Sequence, residues 1–127
     1  MFGDDLTRVG NALVAHCKAG TTNQGLDELY ADDAVSVEAG DLGGGNVVTS
    51  GLAGIKGKHE WWDNAQETHS SEADGPYFHG ENRFGVIFSM DGTDRKTGER
   101  WNMKEMAVYT VEGGKIVREE FFYAPQE

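Results

Sequence analysis

Cysteine is nearly absent from this chain: Cys17 is the single one. One thiol excludes an internal disulfide framework and fits a reducing compartment. Basic residues are also scarce. Eleven Lys and Arg stand against 22 Asp and Glu, a net charge of −11. Nucleic acid and anionic membranes are bound through clustered positive charge, so neither is an expected partner. Neutral or cationic ligands fit better, although an acidic surface also serves plain solubility. No run approaches the roughly 20 apolar residues of a membrane-spanning helix. The opening MFGDDLTRVG lacks a basic segment followed by a long apolar one. No signal peptide is therefore expected, and a cytoplasmic location is. Metal signatures are missing as well: no His pair at i, i+4 brackets a glutamate, and no Cys pair exists. We expect no metal site and no cofactor. The glycine-rich LGGGN (42–46) lacks the Gly-Lys-Ser/Thr of a phosphate loop and reads as a flexible lid or a strand link.

The 127 residues suit one domain, 1–127, with no repeat and no linker. A chain of this size buries enough surface to fold without staples. Leu6, Val9, Leu13 and Cys17 fall at helical spacing within 4–19, with acids at the start and Lys18 near the end, as the helix dipole favours. Gly20 stops that helix. A second short helix is expected over 24–31, with Leu26, Leu29 and Tyr30 inward. A strand follows over 34–39. Residues 40–54 hold six glycines and read as a loop, with an extended piece near 47–49. A third helix is expected from Ile55 to about His69. Of its adjacent tryptophans, Trp62 is the expected core residue and Trp61 the one at a rim or partner surface. Four segments then alternate in strand fashion, 70–80, 82–91, 100–112 and 115–123, joined by short turns that favour an antiparallel meander. The order is α+β, with helices packed on one face of a curved sheet.

The carboxylate of Glu38, at the end of the first strand, raises the functional question. It either faces solvent as an edge charge or faces inward as the start of a site. Ser36 and Glu38 share one face of that strand, Val35 and Val37 the other. In the fourth long strand Met103, Glu105, Ala107 and Tyr109 alternate with Lys104, Met106, Val108 and Thr110. In the last, Val117, Glu119, Phe121 and Tyr123 alternate with Ile116, Arg118, Glu120 and Phe122.

Three stretches, AGTTNQGLDELYADDAVSVEA (19–39), GLAGIKGKHEWWDNA (51–65) and MAVYTVEGGKIVREEFFY (106–123), resemble the NTF2-like superfamily. Among its members, which include ketosteroid isomerase and scytalone dehydratase, the chain is most similar to SnoaL-like domain proteins such as the polyketide cyclases. The resemblance implies a cone-shaped α+β barrel, three N-terminal helices packed on a strongly curved, mostly antiparallel sheet. This fold hosts several chemistries and also non-catalytic binders. The resemblance further implies that Ser36 and Glu38 face the cone, with Glu38 at the position of an isomerase general base. Glu105, Ala107, Tyr109, Glu119, Phe121 and Tyr123 would line it too. The opposite faces, with Val108, Thr110, Ile116 and Phe122, would meet a second copy in a homodimer through the sheet.

A carboxylate in a desolvated pocket can take and return a proton near neutrality. The expected catalytic set is therefore Glu38, Glu105 and His79. Ser36, Trp61, His69, Tyr109, Glu119, Phe121 and Tyr123 are the expected ligand contacts. His69 and His79 would mimic the paired histidines of scytalone dehydratase; the plainer reading puts them at a helix end and a surface turn. Ketosteroid isomerase stabilises its enolate with a Tyr and a protonated Asp. Leu13 and Ala107 stand at those positions here, leaving Tyr109, Tyr123 or His79 as candidate donors. The expected function is a cofactor-independent isomerase, cyclase or dehydratase acting on a small hydrophobic ring or polyketide-like ligand. The alternative is a non-catalytic dimeric binding or accessory domain.

Overall fold

The structure, a computed structural model, describes residues 2–40 and 47–123. The glycine run at 42–46 therefore lies outside the described residues. Helix α1 (Asp4–Ala19) buries Leu6, Val9, Leu13 and Val14 and ends where Gly20 turns left-handed at φ 73. Its acidic first turn and basic last turn complement the dipole. Helix α2 (Thr22–Leu29) is followed by strand β1 (Tyr30–Val37), the short β2 (Val48–Ser50) and helix α3 (Leu52–Ala65). Strands β3 (Gln66–His79), β4 (Arg83–Asp94), β5 (Arg100–Glu112) and β6 (Lys115–Tyr123) complete the chain. The six strands form one sheet in the order β2-β1-β6-β5-β4-β3. Every neighbouring pair is antiparallel except β1 and β6. Three helices on a curled, mostly antiparallel sheet make the expected cone.

Three local expectations are corrected. Tyr30 is not helical: its N–H caps Leu26, and the residue then pairs with Ile116. The third helix begins earlier and ends sooner, at Ala65, because 66–68 and 70 pair with 91–94 of β4 instead. His69 thus sits on a strand. Finally, Thr110 pairs with Arg118 while Val111 pairs with Ile116, leaving Val117 as an extra residue on β6. That bulge resets the alternation, so Ile116 turns inward and is fully buried rather than facing a partner.

The core is the seam between the helices and the concave sheet face. Leu6, Val9, Leu13, Leu29 and Ile55 meet Phe84, Val86, Ala107, Tyr109 and Ile116. Phe84 stacks on Tyr109 with ring centroids 4.9 Å apart. Gly10 lets α1 come this close: a Cβ there would lie 3.0 Å from the Phe78 ring and 3.4 Å from that of Phe84. On the convex face, Ile87, Met106 and Phe122 are successive cross-strand partners, and the last two are exposed. No helix among the described residues is long and apolar enough to cross a membrane.

Candidate functional site

The cone encloses a cavity of about 680 Å³. Its wall is mainly apolar and aromatic, with Leu13, Leu26, Trp61, Trp62, Phe88, Met90, Met103 and Phe121, as a pocket for a hydrophobic ligand requires. Set into that wall are Glu38, Glu105 and Glu119, with Asp63 also among the lining residues and Lys58 as the one Lys or Arg among those described.

Glu38 follows the last residue of β1, and its backbone N–H donates to the Val47 carbonyl at 2.8 Å, continuing the β1–β2 ladder. The strand periodicity then turns its side chain inward. Lys58, reaching down from α3, donates to Glu38 Oε1 at 2.7 Å and also to Ser36 Oγ. The Tyr123 hydroxyl lies 3.4 Å from Glu38 Oε2 and 3.3 Å from the Gly40 carbonyl, so its one proton has either as acceptor. The Lys58 ammonium also sits 5.2 Å from the Phe121 ring centroid, within cation–π range. The ion pair is largely out of solvent, the two side chains being 21% and 12% exposed.

Glu105 stands differently. It is flanked across the sheet by Phe88 and Tyr123 and has no ion-pair partner among the described residues. Burial first, then the charges of Glu38 and Glu119, push its carboxyl up from 4.5 to about 7, with Lys58 offsetting part of that. At neutral pH it therefore exchanges its proton readily. Because the folded form holds the proton more tightly than the unfolded one, this group's contribution is fully present below about pH 4.5 and is lost as pH rises through about 7. Glu105→Gln should therefore melt higher than the parent at about pH 8, by at most roughly 3 kcal/mol, and nearly level with it at about pH 4. Melting curves at the two pH values check this; an equal gap at both would show that the proton is not the cause.

Deeper in, Glu119 is 1% exposed and lies between Ser36 of β1 and Tyr109 of β5. The Tyr30 hydroxyl donates to its Oε2. Burial and then the Glu119 charge push the Tyr30 and Tyr109 hydroxyls well up and the Cys17 thiol up to about 11, so all three keep their protons.

Of the residues singled out from sequence, Glu38, Glu105, Trp61, Tyr109, Glu119 and Phe121 share the cavity wall. Ser36 and Tyr123 join through their bonds to Lys58 and Glu38. His69 and His79 do not line the cavity. His69 is exposed on β3 and bonds Thr93 at 2.8 Å, and His79 is exposed at the far end of the same strand. Trp62, expected in the core, is only partly buried and lines the cavity, its ring edge-on to Trp101 at 5.6 Å. Lys58, Cys17, His16 and His59 were not singled out for the cavity, yet all four line it. Lys58 lies three residues past Ile55, which marks the inward face of α3, and that spacing was its one legible signal. Among the described residues no three His, Cys, Asp or Glu side chains cluster as metal ligands.

The model of the SnoaL-like domain family matches residues 8–123. A Mesorhizobium loti protein, provisionally named a SnoaL-like polyketide cyclase with carbohydrate phosphatase as a further label, is 33% identical with a TM-score of 0.86. The match covers 92% of this chain and 97% of that one. A provisionally named isomerase from Bacillus subtilis matches at 19% identity and a TM-score of 0.75, over 96% of this chain and 88% of the other. A Catenulispora acidiphila protein with a ketosteroid isomerase-like fold, in complex with trimethylamine, matches at 18% and 0.69, over 98% and 88%. These last two likenesses carry the fold alone. No curated protein matches the chain.

Proposed function

The chain belongs to the SnoaL-like domain family, and on that footing we propose that it is a cofactor-independent enzyme. Its substrate is a hydrophobic cyclic or polyketide-like ketone held in the cone, and its chemistry is isomerisation, cyclisation or dehydration begun by carboxylate proton abstraction. One observation carries the reading: two carboxyls on one cavity wall stand in opposite settings. Glu38 is paired with Lys58, whereas Glu105 has no ion-pair partner among the described residues and is raised to about 7. Environments that separate two carboxyls divide the labour between base and acid. Glu38 takes the proton from the carbon beside the carbonyl. Glu105 meets the developing enolate with its own proton, and the Lys58 ammonium adds positive charge beside it. Tyr123 orients Glu38. His69 and His79 have no part in this scheme.

The test is transfer of deuterium from solvent into cyclic ketones, followed by NMR. Exchange catalysed above the buffer rate supports the reading. Ligand binding without exchange by the native protein would move the chain to the accessory-domain class. A phosphate-ester substrate fits poorly, since the wall carries four acidic side chains, Glu38, Asp63, Glu105 and Glu119, against one lysine.

We further propose that the protein acts in the cytoplasm and pairs with a second copy through its convex face. The Ile87–Met106–Phe122 row supports this, with Met106 43% and Phe122 47% exposed. Sedimentation of the parent should give a dimer, and Phe122→Glu should shift it to monomer by desolvating a charge in the contact. A monomeric parent removes the pairing and leaves the cavity chemistry intact.

A further inference from the structure

Glu119 has no part in the proton transfers above, yet it is the most buried carboxyl of the cavity wall. Its Oε2 accepts from Tyr30, and its Oε1 has no hydrogen-bond partner among the described residues. Buried polar atoms are nearly always paired, and a buried carboxylate oxygen left single is a standing penalty on the fold. The groups around it do not relieve this. Tyr109 and Cys17 are close enough to feel its charge, but neither bonds to it. The apolar residues of the same wall, Leu13, Leu26 and Phe121, supply no donor at all. Lys58, the one Lys or Arg among the described lining residues, is engaged with Ser36 and Glu38. Tyr30 meanwhile pins the carboxylate from one side, so the free oxygen has a fixed place.

We infer that Glu119 is a specificity residue: the cavity takes ligands whose leading ring carries a hydroxyl or N–H, which donates to Glu119 Oε1. The inference rests on the cyclic-ketone reading and narrows its substrate class. A ring ending in a hydrocarbon, ether or second carbonyl would leave the oxygen dry and unpaired. Sites built to accept from a ligand hydroxyl discriminate strongly against analogues that lack it. The ligand's reactive carbonyl then lies toward Glu38 and Glu105, and its donor lies at the Tyr30–Glu119 pair.

The test is titration calorimetry with two rings of one skeleton: the hydroxy-α-tetralone whose hydroxyl is meta to the carbonyl, and its methyl ether. The native protein should bind the hydroxyl form at least about tenfold more tightly. In Glu119→Gln the amide oxygen takes the Tyr30 hydroxyl and the NH₂ faces the ligand, so the preference should vanish or turn toward the ether. Equal affinity in the native protein, or preference for the ether, overturns the inference, and the comparison needs no variant to fold. If both rings bind equally and both exchange deuterium, the donor rule fails while the proposed chemistry stands. If the hydroxyl form is preferred and neither exchanges, the rule stands and the chemistry fails. If neither ring binds, both are overturned.

Discussion

Glu38→Gln is expected to slow enzyme-catalysed deuterium exchange by roughly 10²- to 10⁴-fold, the usual contribution of a positioned general base. The substitution removes the proton-accepting charge and little else. The amide oxygen can still accept from Lys58, which also keeps its bond to Ser36. The pair is mostly buried, so deleting one charge leaves the ammonium less well matched, and a stability loss on the order of 1 kcal/mol is expected. That loss is too small to explain a rate effect of this size, so a folded, ligand-binding but inert variant isolates the base. Glu105→Gln serves as the contrast. Its amide still donates a hydrogen bond to the enolate, so part of the rate should survive. The fall in rate as pH rises through about 7, where the parent loses the Glu105 proton, should disappear. Native-like exchange in Glu38→Gln would take the base role from that residue. An unchanged pH profile in Glu105→Gln would take the acid role from Glu105.

These roles were only partly legible in the sequence, and the division has a physical cause. Amphipathic spacing placed α1 at 4–19, and alternation placed β5 at 100–112 and β6 at 115–123, all as observed. Each has one buried and one solvated face, so periodicity reports its state. Alternation within β5 likewise set Glu105 and Tyr109 on one face, and the resemblance implied that this face lines the cone, where both are found. The start of β3 was misread because QETHSSEAD lies at the sheet edge and is mostly exposed. A strand solvated on both faces has no hydrophobic period to read, and pairing with β4 alone extends it. Ile116 was misplaced by a different cause. A single extra residue, Val117, reverses the inside and outside of a strand, and nothing in KIVREEFFY announces it. The partners of Glu38 were illegible for a third reason. Lys58 meets Glu38 and Ser36 because α3 crosses over β1, which is a tertiary fact rather than a local one. His79 drew attention by residue type and by the resemblance to the paired histidines of scytalone dehydratase, and the strand carries it away from the cavity.

Phe84→Ala is expected to cost about 3–5 kcal/mol, the usual range for truncating a large aromatic in a tight core. For a chain of this size that is a fall in melting temperature on the order of 10–20 °C. Phe84 is fully buried, stacks on Tyr109 and meets Phe78 at 6.5 Å between centroids. The seam around it has little room to collapse, because Gly10 already brings α1 within contact of both Phe78 and Phe84. The void would therefore persist, which places the expected loss toward the upper part of the range. It would also release Tyr109, whose ring borders the cavity beside Glu119. The loss of stability should thus come with weaker ligand binding, although Phe84 itself does not line the cavity. Met106→Ala is the fitting control. It removes a side chain of similar bulk from the convex face, where 43% of the residue is exposed, and a change within about 0.5 kcal/mol is expected when the protein is dilute enough to be monomeric. Denaturant titration decides the comparison: a lower midpoint at unchanged slope for Phe84→Ala confirms a native-state loss. A drop under about 1 kcal/mol would mean that the helices settle into the void, so that the seam is softer than Gly10 and its neighbours imply.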